Sequence, residues 1–237
     1  MSENILSGKT LLVVDDEVDL RDIVASELEY MGAKVFQAEN VANAQLILAE
    51  NKIDLILSDI RMPGGTGIDL LDNVRSKNSE TPPVILITGF ADITVEDAFD
   101  KGAEALVNKP FKLDELIKMV IRYTLPLEDR FKEEVSTGKS VSSSDATNMK
   151  LGRGGMRLEV STLGKRFDVG ELVNFDLDFE NTHLHGSGIL RWFKASEQTA
   201  HKAVLGLEFM NLDGPSLSFL QQKTHNQPVI PYIPSAH

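Results

Sequence analysis

The chain has 237 residues, carries 36 acidic against 24 basic side chains and has a formal net charge of -12. That length fits two modest domains or one large one, and the acidity argues against general nucleic-acid binding. There is no cysteine, which excludes a disulfide framework and a thiolate metal site. No run reaches the roughly 18 apolar residues that a membrane-spanning helix needs. MSENILSGKT lacks the basic segment and apolar run of a secretory signal, so a cytoplasmic location fits. The acid excess is uneven. Residues 1–124 hold 22 acidic and 12 basic side chains, whereas the rest is nearly neutral, and such a shift suggests a domain boundary.

Thr10 to Val14 is a short apolar run ending in Asp15-Asp16-Glu17. Val18, Ile23, Val24 and Leu28 then recur at helical spacing, and Met31-Gly32 closes that helix. Val35-Phe36 makes a short strand. Asn40 can cap the next helix, which holds Val41, Ala44, Leu46 and Ile47. Leu55 to Leu57 reads as a buried strand with Ser58 and Asp59 at its end, followed by a loop with Pro63, Gly64, Gly65 and Gly67. Gly67 to Ser76 is helical. Pro83 to Ile87 is a strand ending in Thr88-Gly89. Asp92 to Lys101 is helical, Ala105 to Val107 is the fifth strand and ends in Asn108-Lys109-Pro110, and Leu113 to Ile121 gives the last helix its apolar face.

Strands alternating with helices imply a five-stranded, doubly wound parallel sheet with helices on both faces. Right-handed crossovers bring all the strand ends to one edge. That edge collects Asp15, Asp16, Asp59, Thr88 and Lys109. Singly, each has an ordinary role: Asp59 as a turn residue, Asp15 and Asp16 as helix caps, Thr88 at a strand end, Lys109 on the surface. Together they make a site. Carboxylates converging in a partly buried place repel one another, and a divalent cation relieves this. Hard oxygen ligands suit Mg²⁺, which keeps waters and shares phosphate oxygens. A lysine and a hydroxyl beside it can hold the remaining phosphoryl oxygens.

The acidic pair Asp15-Asp16, the stretch SDIRMPGGTG, ILITG and the Lys109-Pro110-Phe111 run resemble a response-regulator receiver domain of the chemotaxis-regulator type, over about residues 8–124. The resemblance implies a flavodoxin-like fold and a set of roles. Asp59 would be the phosphoacceptor, and Asp15 and Asp16 the metal-site pair, with Asp16 the direct ligand. The backbone carbonyl of Arg61 would be a further ligand, Thr88 the switch hydroxyl and Lys109 the phosphate-pairing lysine before a cis proline. Catalysis would be limited to phosphoryl acceptance and slow autodephosphorylation. The donor would be a histidine kinase or phosphotransfer protein. Leu106 stands where the family carries an aromatic residue three positions before the lysine, so this chain lacks that route for reporting phosphorylation. Two other classes fit the fold but not the residues. A flavin protein needs a phosphate loop where Asp15-Asp16-Glu17 stands, and an aspartate phosphatase needs an acid where Arg61 stands.

After the receiver-like region, 1–124, residues 125–139 read as a connector and 140–237 as a second domain. Leu127, Phe131 and Val135 are spaced i, i+4, i+8 behind Pro126, predicting a short helix over 126–135 that packs on one domain or on a second copy in a homodimer. Ser136 to Asp145 is rich in Ser, Thr and Gly and reads as a flexible loop. Gly138-Lys139-Ser140 lacks both the first glycine and the preceding strand of a phosphate-binding loop. From Met149 the pattern turns to strands: Met156 to Val160, Leu172 to Phe179, Gly188 to Phe193 and Val204 to Phe209, with turns at 169–171 and 185–188. Short strands with regular turns suggest a small antiparallel barrel, with a helix around Leu217 to Leu220. His183 and His185 read as exposed turn residues rather than metal ligands. The proline-punctuated tail NQPVIPYIPSAH reads as extended or mobile, or as lying on a partner.

The stretches LGRGGMRLEV, FDVGELVNFDL, GSGILRWF and GLEFMNLD resemble a PilZ domain, over about residues 138–222. The resemblance implies cyclic di-GMP binding, but the motifs for it are degenerate. Lys150 and Gly152 stand where the acid and serine of [DN]xSxxG belong, and the arm before the first strand has no RxxxR. Lys150, Arg153 and Arg157 form the remaining basic patch. Missing arginine forks remove charge-assisted contacts. The leading reading is therefore a phosphorylated regulator whose PilZ-like half acts by protein contacts. The alternative is a phosphorylation-gated cyclic di-GMP receptor.

Overall fold

A computed structural model describes residues 4–77, 81–89, 92–133, 138–162, 166–195, 201–224 and 231–236. The chain divides into two compact units. One comprises Met1–Thr94 and Lys101–Leu125, and the other Val95–Asp100 and Pro126–His237. Among the described residues no helix is long and apolar enough to cross a membrane.

The first unit contains strands β1 (Thr10–Val14), β2 (Lys34–Ala38), β3 (Leu55–Asp59), β4 (Val84–Thr88) and β5 (Ala105–Asn108). They form a parallel sheet in the order β2-β1-β3-β4-β5. Every residue of β3 and β4 is buried, as expected of central strands covered on both faces. Around the sheet run α1 (Val18–Tyr30), α2 (Val41–Glu50), α3 (Gly67–Lys77) and α5 (Leu113–Thr124), while α4 (Val95–Asp100) belongs to the second unit. The start of α2 is fixed as its sequence implies: Asn40 Oδ1 accepts the Asn43 N–H at 2.9 Å. Gly32 adopts φ +92° just past α1, the left-handed turn that glycine permits.

The helix expected over Asp92 to Lys101 is shorter and begins at Val95. The reason is local. The Asp92 carboxylate accepts from Arg61 Nε at 2.7 Å and from the Thr88 hydroxyl at 3.1 Å, which holds residues 92–94 outside the helix. A second feature hidden from sequence is an ion pair inside the first unit. Arg75 Nη2 lies 3.0 Å from Glu104 Oε2, with the two side chains 2% and 0% exposed. Arg75 also donates to the Gly102 and Pro82 carbonyls, and Glu104 accepts the Val84 N–H. The pair thus ties α3 to the entries of β4 and β5.

In the second unit, α6 (Leu127–Arg130) is the helical part of the connector. The expected helix over 126–135 stops there because the backbone is claimed by the sheet. Leu212 N–H donates to the Phe131 carbonyl and Glu133 N–H to the Met210 carbonyl. Phe131 is buried and meets Phe209 edge-on, with centroids 5.8 Å apart. The apolar stripe is therefore partly core, and Val135 lies outside the described residues.

Six strands follow: β6 (Lys139–Ser142), β7 (Ala146–Leu151), β8 (Gly155–Ser161), β9 (Leu172–Phe179), β10 (Thr182–Ala195) and β11 (Lys202–Leu212), then α7 (Gly214–Thr224). Their order is β6-β9-β10-β11-β8-β7. The small β domain expected here is one curled half-barrel sheet, with β6 and β7 at its two ends. One pair, β6 with β9, is parallel. Lys139–Ser142 lies in the Ser-, Thr- and Gly-rich stretch that reads as loop, and as a strand it buries only Val141, so it has almost no apolar signature.

The turn expected at residues 185–188 is also absent. β10 runs straight through it, and the hairpin turns at Glu180-Asn181, with φ +47° and +64°, the two-residue geometry that suits twisted strands. Gly186 and Gly188 are strand residues because there is no room for a side chain. A Cβ would lie 2.2 Å from the Asn211 carbonyl oxygen at Gly186, and 2.6 Å from that of Glu208 at Gly188.

His183 and His185 thus stand on a strand rather than in a turn. Both are exposed opposite Asp178 and Asp176 on β9. His183 Nδ1 lies 3.0 Å from Asp178 and Nε2 3.0 Å from Asp176. The Asp178 hydrogen bond first, then the charge of Asp176, raise the His183 pKa above its usual 6.5. The stabilisation from its proton is complete below 6.5 and fades as pH rises through the folded value. An NMR titration should place His183 above 6.5, and Asp178→Asn should lower it. Separately, Arg75→Met leaves the Glu104 carboxylate buried without its cation. Urea unfolding should show the first unit destabilised by about 3–5 kcal/mol.

Candidate functional site

The sheet brings Asp15, Asp59, Thr88 and Lys109 to one edge. Asp59 closes β3 and Thr88 closes β4, while Asp15 and Lys109 directly follow β1 and β5. The Lys109 N–H donates to the Thr88 carbonyl at 2.7 Å. Asp15, Asp59 and Thr88 are buried at 3%, 6% and 1% exposure.

The Lys109 ammonium is the centre of the arrangement. It lies 3.0 Å from Asp15 Oδ2, 2.8 Å from Glu17 Oε1 and 3.2 Å from Asp59 Oδ2. Burial raises the Asp59 pKa above the usual carboxylate range. The Lys109 hydrogen bond and charge oppose that rise, and the Asp15 charge adds to it. Burial pulls the Lys109 pKa down, but its carboxylate partners, Glu17 first, outweigh this and leave it raised. Asp59 Oδ1 accepts the Ile60 N–H at 2.8 Å, so its other oxygen is the one turned to the lysine. Gly67 makes the geometry possible. A Cβ there would lie 2.2 Å from the Asp59 carbonyl oxygen, which explains the glycine in GGTG.

Three carboxylates, Asp15, Glu17 and Asp59, have ligand atoms within 4.8 Å of one another. Hard oxygen donors of this kind fit Mg²⁺. Asp16 is exposed and outside that group. Glu17, which sequence reasoning did not single out, takes part instead. Asp15 Oδ1 accepts the Glu17 N–H at 2.8 Å, and this tight turn brings the exposed Glu17 carboxylate to the Lys109 ammonium. Nothing in the DDE string separates the three by type. Arg61 is exposed, pairs with Thr66 across a two-residue ladder and bonds Asp92.

The basic residues of the second unit are not gathered into an open patch. Lys150 is exposed, but Arg153 and Arg157 are each only 6% exposed. Arg157 donates to the Asn148 carbonyl at 2.8 Å and to that of Ala236 at 3.4 Å, and the Arg153 guanidinium lies 5.6 Å from the Tyr232 ring centre. Both guanidinium groups lie buried against the chain itself, and Arg157 Nε has no hydrogen-bond partner there among the described residues.

The model of the response regulator receiver domain matches residues 11–121. The N-terminal part of this chain is a response regulator receiver domain. Among curated relatives, the phosphate regulon transcriptional regulatory protein PhoB of Pseudomonas aeruginosa is 36% identical over 134 residues, covering 54% of this chain and 58% of PhoB. The regulatory protein AtoC of Escherichia coli is 36% identical over 135 residues, covering 56% of this chain and 29% of AtoC. The chain therefore spans well under two thirds of either relative. Among solved structures, the response regulator TrrA of Thermotoga maritima, in complex with Mg²⁺ and BeF, is 31% identical with a TM-score of 0.43, covering 48% of this chain and 98% of TrrA.

The acidic cluster of the receiver predicts a cation-dependent stability. Lys109→Met removes the one ammonium shared by Asp15, Glu17 and Asp59. Thermal melts in chelator should show a lower midpoint than the parent, and millimolar Mg²⁺ should restore most of it by binding the folded form. A midpoint indifferent to Mg²⁺ in both proteins would refute the carboxylates as a cation site.

Proposed function

We propose that this protein is a phosphorelay response regulator that accepts a phosphoryl group on Asp59 from a histidine kinase or phosphotransfer protein. The observation carrying this reading is the Lys109 ammonium shared by Asp15, Glu17 and Asp59 at a sheet edge. It is an arrangement of one buried nucleophile, a charge cluster and a fixed cation.

An Asp59 carboxylate oxygen attacks phosphorus and forms a new O–P bond while the donor's P–N bond breaks. The electron pair returns to the donor imidazole, which leaves neutral when its other nitrogen carries a proton. Lys109 pairs with the phosphoryl oxygens and offsets their charge. Asp15, Glu17 and Asp59, with Asp16 and the Arg61 carbonyl close by in sequence, would hold Mg²⁺, which would supply further charge stabilisation. The Thr88 hydroxyl turns from Asp92 to a phosphoryl oxygen. Burial helps at the start, because a carboxylate stripped of most of its hydration shell is a better nucleophile.

For the second unit we favour a PilZ-like module that acts through protein contacts. The burial of Arg153 and Arg157 supports this over the cyclic di-GMP receptor, which needs free guanidinium forks to grip phosphates and guanine edges.

Incubation with a small acyl-phosphate donor and Mg²⁺, followed by intact mass, tests the assignment. One phosphate should add to the parent and none to Asp59→Asn. An adduct of the same yield on Asp59→Asn would sink it.

A further inference from the structure

Within the proline-punctuated stretch expected to be extended or mobile, or to lie on a partner, residues 231–236 are seated in the second unit, while 226–230 and 237 lie outside the described residues. Tyr232 and Ile233 are both 0% exposed. Their seat is the glycine turn of LGRGG. A Cβ on Gly154 would lie 1.8 Å from Tyr232 Cε2, and one on Gly152 would lie 2.5 Å from the Pro231 carbonyl oxygen. The Arg153 N–H donates to the Pro231 carbonyl at 2.9 Å and the Gly154 N–H to that of Tyr232 at 3.0 Å. The Tyr232 hydroxyl reaches Glu208 Oε1 at 3.1 Å. Gly152, Gly154 and Gly155 leave the space in which this segment lies.

The other side of the segment holds α4. The Tyr232 N–H donates to the Phe99 carbonyl at 2.9 Å, the Ser235 N–H to Asp100 Oδ1 at 3.1 Å and the Ala236 N–H to Glu96 Oε1 at 2.6 Å. The rings of Phe99 and Tyr232 are 5.6 Å apart, and Glu96 also pairs with Lys194 at 2.6 Å. With six residues, α4 is too short to be stable by itself, so its position depends on these partners.

The residues leading into α4 are set by Thr88. Its hydroxyl has one proton to donate, and here it goes to Asp92. Donation to a phosphoryl oxygen on Asp59 takes that bond away from Asp92, three residues before α4 begins. One short helix is thus approached from its N-terminal side by the phosphorylation switch and gripped along its length by the tail.

We propose that residues 231–236 are a latch on α4 that lets go when Asp59 carries a phosphoryl group, uncovering the glycine turn at 152–155. This rests on the phosphorylation reading above. By linkage, a modification that favours the released state must itself be favoured by release.

The test uses the full chain, with and without a small acyl-phosphate donor and Mg²⁺, followed by intact mass and residue-resolved hydrogen exchange. With the mass shift present, the amides of Tyr232, Ser235, Ala236, Arg153 and Gly154 should exchange about fivefold faster or more, while the centre of β10 stays protected. A mass shift with no change at these five amides overturns the latch and leaves phosphorylation standing. No mass shift overturns both. Gly154→Ala supplies an independent route, because its methyl group displaces the Tyr232 ring. The tail amides should then exchange fast without any donor, and the donor should add nothing more. Slow tail exchange in folded Gly154→Ala overturns the seat. If that variant does not fold, Asp100→Ala at the exposed rim must speed exchange at Ser235 for the latch to stand.

Discussion

The first unit is organised around one electrostatic problem. Three carboxylates converge at the end of a buried parallel sheet, and a single ammonium, that of Lys109, stands among them. Like charges this close repel one another. Burial, with a smaller contribution from the Asp15 charge, raises the Asp59 pKa, while Lys109 opposes the rise. The site therefore attracts cations and anionic groups that bring cations with them. Its chemistry follows from charges that the fold holds closer than they would choose to be.

Holding them requires a rigid frame. β3 and β4 are buried along their whole length, and the Arg75–Glu104 pair fixes the opposite ends of β4 and β5 without exposing either charge. Burying an ion pair costs desolvation, which only good geometry and extra hydrogen bonds recover. Here Arg75 has backbone acceptors and Glu104 a backbone donor. At the active edge the frame depends on close approach, and Gly67 supplies it by leaving no Cβ against the Asp59 carbonyl.

The second unit shows a different use of missing side chains. Gly186 and Gly188 let β10 run past its neighbour without a turn, while Gly206 makes space for the Trp192 indole. Gly152, Gly154 and Gly155 make a seat for Tyr232 and Ile233. A glycine in sequence signals closeness, but does not say what comes close. The glycines of residues 185–188 suggest a turn from sequence, and Gly152 stands where a ligand motif has serine. In both places the neighbour is another part of the same chain.

The parallel sheet, its strand ends and the placement of Asp59, Thr88 and Lys109 were legible from sequence because they rest on local patterns. These are short apolar runs, helical periods, and acids or a lysine just beyond them. The cap at Asn40 and the turn at Gly32 were legible for the same reason. Other features were decided only by tertiary structure. Glu17 rather than Asp16 meets the lysine because the backbone turns at Asp15. α4 starts late because Asp92 is held by Thr88 and Arg61. Lys139–Ser142 is a strand because β9 offers it an edge. Tyr232 and Ile233 are buried because a glycine turn far away in sequence leaves room for them. Sequence encodes what a residue prefers among its near neighbours. Contacts between distant segments depend on which surfaces the fold leaves unfilled, and those exist only once it has formed.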